Sequence, residues 1–181
     1  MRKVDPSKVY RLLYPSVPAI VAASLGGKTS AMPVVSIVSL SNDPALIALS
    51  SSPSHATFRA IAGARCFSVS WLDRKYLPAV EFLGMRSGTG IVDKLLTAGL
   101  HHRATGSPPV PAISEASASL TCSVKEIRTY GDHELVVGRV LEAKADADFH
   151  DYWKFEGYRP ILYSGLGRPT VDRQSAAVKR P

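Results

Sequence analysis

Residues 29–62 read TSAMPVVSIVSLSNDPALIALSSSPSHATFRAIA, and this stretch decides the fold because it contains strands, a turn and a helix start in succession. Residues 34–40 and 45–50 are rich in Val, Ile and Leu, which favour strands. Between them, the Ser-Asn-Asp-Pro sequence at 41–44 carries side chains that favour a chain reversal. The stretch therefore predicts two adjacent strands, then a loop and a helix.

The loop after these strands is dense in hydroxyl groups. Residues 51–57 read SSPSHAT, and Phe58, Ile61 and Ala62 follow at helical spacing. Side-chain hydroxyls, unpaired backbone N–H groups and the positive end of a helix dipole would meet here, a combination that binds phosphate. The alternative is a serine that caps the helix on a solvated loop. The residues alone leave both interpretations open.

The composition is that of one globular domain. The chain has 181 residues, of which 45% are hydrophobic, and no run of eighteen apolar residues. This predicts one well-buried core and no membrane association. The N-terminal residues MRKVDPSKVY do not resemble a secretory signal, so a cytoplasmic location is expected. Cys66 and Cys122 lack CxxC spacing and lie in strand-like patterns, which predicts buried hydrophobic side chains and not a disulfide or a catalytic thiol.

The net charge of +7 is concentrated at the chain ends. Residues 1–11 and 168–181 each contain four basic residues and one acidic residue, which leaves +1 for residues 12–167. A nucleic-acid-binding domain would instead cluster Lys and Arg on its folded surface. The ends are therefore interpreted as solvated tails, and nucleic acid is not an expected partner.

Further strands are predicted before, within and after a short helical region of the sequence. Pro18–Ser24 reads as a strand that would form an antiparallel meander with the two strands described above. A further strand is predicted at 65–71, and helices are confined to residues 54–98. Residues 116–124 alternate apolar and polar side chains and, with residues 133–140, predict a long hairpin with one polar face.

The remaining segments complete the predicted architecture. Residues 106–111 read as an extended connector, 145–158 as an acidic and aromatic insertion, and 159–163 as a last short strand. The count reaches about six or seven strands, mostly antiparallel. This pattern predicts a mainly β (α+β) fold, an antiparallel β-barrel with helical excursions, because a doubly wound sheet would alternate strands and helices throughout.

Several catalytic and binding motifs are excluded. The glycine-rich GMRSGTG at 84–90 follows a helical pattern and lacks GK[ST], so it is neither a dinucleotide fingerprint nor a P-loop. His101 and His102 have no third ligand at a recognisable spacing, so no metal site is predicted. The chain also lacks a Ser-His-Asp set, a nucleophile elbow and convincingly spaced paired carboxylates.

Five short motifs occur in an order that resembles a known family. They are SPSHATF at 52–58, CFSVS at 66–70, GMRSG at 84–88 leading to Asp93-Lys94, residues 115–122, and GDH at 131–133 leading to GRV at 138–140. In this order they resemble the flavin reductase-like family of FMN-binding split barrels, which includes the flavoredoxins. The resemblance covers about residues 15–165. It implies a domain over residues 15–167, preceded by a lead-in at 1–14 and followed by a basic tail at 168–181.

The resemblance implies a homodimeric split barrel that holds FMN near the subunit interface. By position, Met32, Pro33, Val34, Val35 and Ser36 would border the isoalloxazine ring, and Ser50, Ser51, Ser52, Ser54, His55 and Thr57 would hold the ribityl chain and phosphate. Ser87, Gly88 and Lys94 would close the site, with Lys94 as counter-charge. The chain departs from the family at 30–32, where an Asn-rich entry is usual, and at 167–169, where an aromatic pair is usual.

The implied chemistry is hydride transfer from a nicotinamide ring to flavin N5, which needs few side chains because the cofactors carry the reaction. His133 is the candidate polar group beside the rings, and a structural histidine bonded to backbone is its alternative. Three functions stay open. They are an NAD(P)H-dependent reductase of FMN, FAD or riboflavin, an electron carrier with tightly held FMN, and a non-catalytic flavin binder. A redox partner protein or a monooxygenase component is an implied partner.

Overall fold

A computed structural model of the chain describes residues 1–165 and the backbone of residues 169–170. The strands are β1 Ala19–Leu25, β2 Lys28–Val34, β3 Ile37–Asn42, β4 Ala45–Ser51, β5 Cys66–Trp71, β6 His102–Thr105, β7 Val110–Ile113, β8 Ala118–Tyr130, β9 His133–Ala145, β10 Leu162–Tyr163 and β11 Pro169–Thr170. The α-helices are α1 Ala56–Ala64, α2 Leu77–Met85 and α3 Lys94–Thr97, and 3-10 helices span Pro6–Leu13 and Arg74–Tyr76. The predicted basic tail at 168–181 lies almost entirely outside the described residues.

Seven strands form one antiparallel sheet in the order β2-β1-β5-β8-β9-β4-β3. Although β2 and β3 are consecutive in sequence, they lie at opposite edges, and no ladder joins them within the described part of the chain. The sheet is therefore a split barrel with helical excursions, and the predicted fold class is confirmed.

The predicted meander of 18–24, 34–40 and 45–50 is wrong. Residues 28–34 form a separate strand, because the Gly26-Gly27 turn pairs β1 with β2 from Leu25↔Lys28 onward. Two residues, Val35 and Ser36, then carry the chain to the other edge of the sheet, where β3 pairs with β4. The break between β2 and β3 is only two residues long and lies within an apolar stretch, so the pattern of apolar and polar residues does not indicate it.

Hydrophobic side chains on the two faces of the sheet form two cores. Val21, Leu49 and Phe67 lie in the barrel interior, which α1 closes with Phe58 and Ile61. A second core lies on the outer face under α2 and α3. It contains Ile20, Ala22, Ala31, Leu83, Leu95 and Leu100. Residues on β1 alternate between the two cores, which is why its sequence AIVAA is continuously apolar.

The predicted long hairpin is confirmed and extends over β8 and β9. Its polar face differs from the prediction, because Thr121 is only 4% exposed. The residues interpreted as an extended connector belong instead to a β6–β7 hairpin that covers this face. Pro111 is compatible with β7 because β7 is part of a two-stranded ladder and has a free edge.

Both cysteines are free and buried, as the sequence predicts. Burial raises the pKa of the Cys66 thiol, and it raises the pKa of the Cys122 thiol to about 12, which disfavours the reactive thiolate at both positions. Within residues 1–165 no group of three or more His, Cys, Asp or Glu side chains is placed to hold a metal ion. The helices of the described residues are all too short or too polar to cross a membrane.

Candidate functional site

A cleft of about 440 Å³ opens beside β2, where the start of α1 meets the segment between α2 and α3. Its lining residues are Tyr14, Pro18, Met32, Pro33, Val35, Ser54, His55, Ala56, Thr57, Glu81, Leu83, Gly84, Met85, Arg86, Ser87, Gly88, Lys94 and Tyr163. The chain segments that meet here are far apart in sequence, and the split barrel brings them together.

Nine of the residues singled out from the sequence line this cleft. They are Met32, Pro33, Val35, Ser54, His55, Thr57, Ser87, Gly88 and Lys94. The others adjoin it or lie elsewhere. Val34 is buried in the barrel interior, and Ser36 donates its hydroxyl to the carbonyl oxygen of Ser50 at 2.7 Å. Ser51 and Ser52 do not line the cleft, but their hydroxyls belong to the hydrogen-bond network of the same loop.

His133 lies on the β8–β9 turn, outside the cleft lining. Its Nδ1 contacts the Asp132 carboxylate at 2.9 Å, and its side chain is 46% exposed. The ring is near the α1 start, and a positive charge on it would lower the pKa of His55.

The hydroxyl-rich loop is held by its own side chains. Ser52 and Ser54 hydroxyls are 2.8 Å apart, and Ser51 Oγ donates to the Ser52 carbonyl oxygen at 3.2 Å. The N-cap residue of α1 is His55, which makes no side-chain hydrogen bond to the helix. The capping serine that was the alternative interpretation is thus not what the structure contains. The first N–H groups of α1 face this loop without a side-chain cap.

Gly88 allows the loop after α2 to approach α1 closely. A Cβ atom at Gly88 would lie 2.9 Å from Ser30 Oγ and 3.2 Å from Ala56 Cβ. Ser30 Oγ in turn lies 2.9 Å from Thr57 Oγ1. Only glycine therefore lets residues 86–90 form a wall of the cleft against the start of α1.

Lys94 is a buried cation in this wall, only 3% exposed. Its Nζ donates to the carbonyl oxygens of Ala31 at 2.8 Å and Leu83 at 2.7 Å. It makes no ion pair among the described residues. Burial lowers the pKa of the ammonium to about 8, because no carboxylate compensates its lost hydration.

Asp93 fixes the short helix that carries Lys94. Its Oδ1 accepts from the backbone N–H of Leu96 at 3.0 Å, and its Oδ2 contacts His102 Nε2 at 2.7 Å. Because both carboxylate oxygens are hydrogen-bonded, the start of α3 is held in the orientation in which the side chain of Lys94 is buried. His102, excluded as a metal ligand from sequence, has this structural role instead.

Two aromatic side chains, Tyr14 and Tyr163, also line the cleft. Tyr14 and Tyr163 lie edge to face with ring centroids 4.8 Å apart, and the backbones of Ser16 and Tyr163 exchange two hydrogen bonds. Sequence reasoning missed both tyrosines, and also Pro18, Glu81 and Arg86. The pairing of the lead-in with the last strand is a contact between the chain ends, for which the local pattern carries no signal.

The cleft has the chemistry of a site for a planar ring attached to a phosphate. Met32, Pro33 and Val35 give an apolar wall, and Ser54, Thr57 and the free N–H groups of α1 give hydrogen-bond donors at one end. The residues present thus fit a flavin mononucleotide in shape, polarity and charge.

Comparisons with known proteins agree with this description. The sequence model named flavin reductase like domain matches residues 10–163. A 4-hydroxyphenylacetate 3-monooxygenase reductase component of Thermus thermophilus is 29% identical over 80% of this chain and 87% of its own length. An uncharacterized protein of Aeropyrum pernix is 30% identical over 93% of this chain, and the chain spans 64% of that relative's length.

A comparison with solved structures also finds a similar FMN-binding protein. The FMN-binding protein from Thermus thermophilus, determined with bound p-hydroxybenzaldehyde, is 31% identical to this chain with a TM-score of 0.79. The superposition covers 95% of this chain and 96% of that structure. The match therefore extends over the whole fold, including the elements that form the cleft.

Proposed function

The chain belongs to the flavin reductase-like family, and on this premise we propose that it is an NAD(P)H-dependent flavin reductase that binds FMN in the cleft beside β2. One observation carries the proposal. In a single cleft, the hydroxyl-rich start of α1 and a buried lysine, which has no acid partner among the described residues, adjoin an apolar wall. The hydroxyl groups and the lysine suit an anionic group of a ligand, and the apolar wall suits a planar ring.

The residues of the chain have separate roles in this proposal. Ser54 and Thr57 would donate hydrogen bonds to the phosphate, together with the first N–H groups of α1. Met32, Pro33 and Val35 would contact the ring and exclude water from one of its faces. Lys94 would supply a fixed positive charge. When bound, the flavin supplies the hydride-accepting chemistry, and the protein contributes orientation and electrostatics.

The proposed chemistry needs no covalent nucleophile and no paired acid and base, because the cofactors carry the reaction. Among the described residues that line the cleft, Glu81 is the one acid. His133 would modulate charge near the α1 start and would not contact the reacting rings, because it lies outside the lining.

The proposed partner is the oxygenase component of a two-component monooxygenase, or another redox protein that receives electrons. The support is the reductase component of Thermus thermophilus, which is similar over 80% of this chain. A reductase of this kind would release reduced flavin or pass on electrons. An electron carrier that keeps its FMN remains the second candidate.

The chain is further proposed to be a homodimer, because one sheet face carries exposed apolar side chains on β3. Val38, Ala48 and Val137 are direct cross-strand neighbours on β3, β4 and β9, on the face opposite the barrel interior. Val38 is 57% exposed and the nearby Leu40 is 51% exposed. A second copy would bury the face on both subunits.

Steady-state oxidation of NADH and NADPH with FMN, FAD or riboflavin tests the proposed activity. A reductase gives turnover that rises with added flavin and requires the protein. A carrier gives a stable stoichiometric flavin colour without flavin-dependent turnover. A protein that neither binds flavin nor accelerates nicotinamide oxidation would refute the proposal.

A further inference from the structure

His55 lies at the junction of the hydroxyl-rich loop and α1, where it lines the cleft. Its backbone N–H donates to the Ser52 carbonyl oxygen at 3.1 Å, and its own carbonyl oxygen accepts from the Arg59 N–H at 3.1 Å. The residue is thus fixed at the N-cap position by the backbone on both sides. Its imidazole ring can therefore contact a ligand that is bound at the start of α1.

The hydrogen bonds of Ser51 define which imidazole nitrogen is available. Ser51 Oγ donates to the Ser52 carbonyl oxygen at 3.2 Å and lies 3.1 Å from His55 Nδ1. A hydroxyl has one proton, so both contacts are hydrogen bonds only when Nδ1 carries a proton and donates to Ser51. In the neutral ring, Nε2 is then the unprotonated nitrogen. It lies on the side of the ring away from Ser51, and it is the atom that gains a proton when the ring becomes charged.

Three basic side chains act on this ring, and Glu81 lines the same cleft. Arg59 on α1, Lys94 on α3 and His133 on β9 all disfavour the protonated form of His55, and burial disfavours it further. The pKa of His55 is therefore lowered, with burial as the largest cause.

Two carboxylates lie on the adjoining end of the β8–β9 hairpin, and each has another partner. Asp132 contacts His133 Nδ1 at 2.9 Å, and Glu134 accepts from Thr129 Oγ1 at 3.0 Å. Asp132 therefore offsets His133, whereas burial, Lys94 and Arg59 still lower the pKa of His55. A ring in this setting is neutral near neutral pH while the cleft holds no anion.

We propose that His55 takes up a proton at Nε2 when a phosphate monoester binds at the start of α1, and that this proton makes the cleft selective for FMN over riboflavin. The dianion brings two negative charges to the start of α1, so the imidazolium becomes stable and donates a charge-assisted hydrogen bond. This inference rests on the proposed FMN site. It adds the residue by which the site senses the phosphate charge.

The pH dependence follows in sign. A group that binds a proton on ligation makes affinity fall as pH rises, by up to about tenfold per pH unit where coupling is complete. FMN affinity should therefore decrease as pH rises from about 6.5 to about 7.5, whereas riboflavin affinity should not. Lys94 contributes little in this range, because its pKa of about 8 leaves it mostly protonated.

Titration calorimetry of FMN binding in two buffers of different ionisation enthalpy, near pH 7, measures the protons taken up. The full chain should take up about half a proton per FMN bound, and none with riboflavin. His55→Gln should abolish the uptake, and the matched control His101→Gln should keep it, since His101 pairs with Glu115 outside the cleft. Equal uptake in His55→Gln and the unsubstituted protein would overturn the inference.

Imidazole NMR of the unsubstituted protein gives the same answer without a variant. Bound FMN should raise the pKa of His55 by at least about one unit and protonate Nε2, while riboflavin leaves it unchanged. FMN that binds with no change in the His55 titration would refute the proton uptake and leave the proposed flavin site intact. Failure of FMN to bind at all would refute both.

Discussion

Lys94 Nζ donates a hydrogen bond of 2.7 Å to the carbonyl oxygen of Leu83, the residue two positions before the end of α2. The same ammonium donates to Ala31 on β2 at 2.8 Å. One buried cation thus joins an edge strand of the barrel to the helix that forms the opposite wall of the cleft. Its charge is not neutralised by any ion pair in the described residues.

Lys94→Gln is expected to weaken FMN binding more than riboflavin binding, because only FMN carries the phosphate charge that the lysine offsets. Titration of the apo-protein with each flavin by fluorescence quenching measures the two affinities. The exposed Lys125→Gln is the matched control and should change neither. An equal loss of affinity for both flavins would indicate that Lys94 only maintains the structure of the cleft wall.

The stability of the apo-protein should also depend on pH through Lys94. Its pKa is about 8 when folded and near 10.5 when unfolded, so the unfolded chain binds more protons between these values. The free energy of unfolding should therefore rise with pH from about 8 to 10.5, and the burial penalty is fully present below pH 8. Urea unfolding of the unsubstituted protein and of Lys94→Gln across this range measures the free energy of unfolding of each. The stability of the unsubstituted protein relative to the variant should increase as pH rises. A pH-independent difference would contradict the predicted titration.

Replacing Ser54 and Thr57 together by Ala should weaken FMN binding, since each hydroxyl that donates to a charged acceptor contributes about 1.5–3 kcal/mol. Part of the Thr57 effect will come from its contact with Ser30, 2.9 Å away. Binding isotherms of the double variant and of Ser107→Ala, an exposed serine of the β6–β7 turn, separate the site from general effects. Unchanged FMN affinity in the double variant would exclude a phosphate at the α1 start.

Val38→Glu combined with Leu40→Glu should convert the proposed homodimer into monomers, because charges would be buried in an apolar interface. Analytical ultracentrifugation measures the mass, which should fall from twice the chain mass to the 19.4 kDa of one chain. Tyr152→Lys, at a 69% exposed residue in the segment after β9, is the control and should remain dimeric. A monomeric unsubstituted protein that retains flavin would refute the proposed dimer and with it a flavin site shared between subunits.

The sequence predicts local elements better than it predicts their contacts. The alternation that continues into β8 and β9 indicates the hairpin directly, and the loop at 51–57 indicates the start of α1, because these signals lie within one segment. The partners of Lys94 lie 63 and 11 residues away and are backbone carbonyls, which no side-chain pattern indicates. The Tyr14–Tyr163 contact is equally remote in sequence.

The separate strand β2 was missed for a related reason. Its sequence KTSAMPV has little of the Val, Ile and Leu content that identifies a strand. Pairing with β1 through the Gly26-Gly27 turn forms this strand, so tertiary context overrides local preference. Since β2 supplies Met32 and Pro33 to the cleft, this omission affects the site as well as the fold.

Anaerobic single-turnover reduction of the FMN-loaded protein tests the central claim most directly. Mixing with NADH or NADPH should bleach the bound flavin absorbance faster than free FMN at the same concentration is reduced, and one of the two nucleotides should be preferred. A protein that binds FMN but is reduced no faster than free flavin by either nucleotide would contradict the reductase assignment.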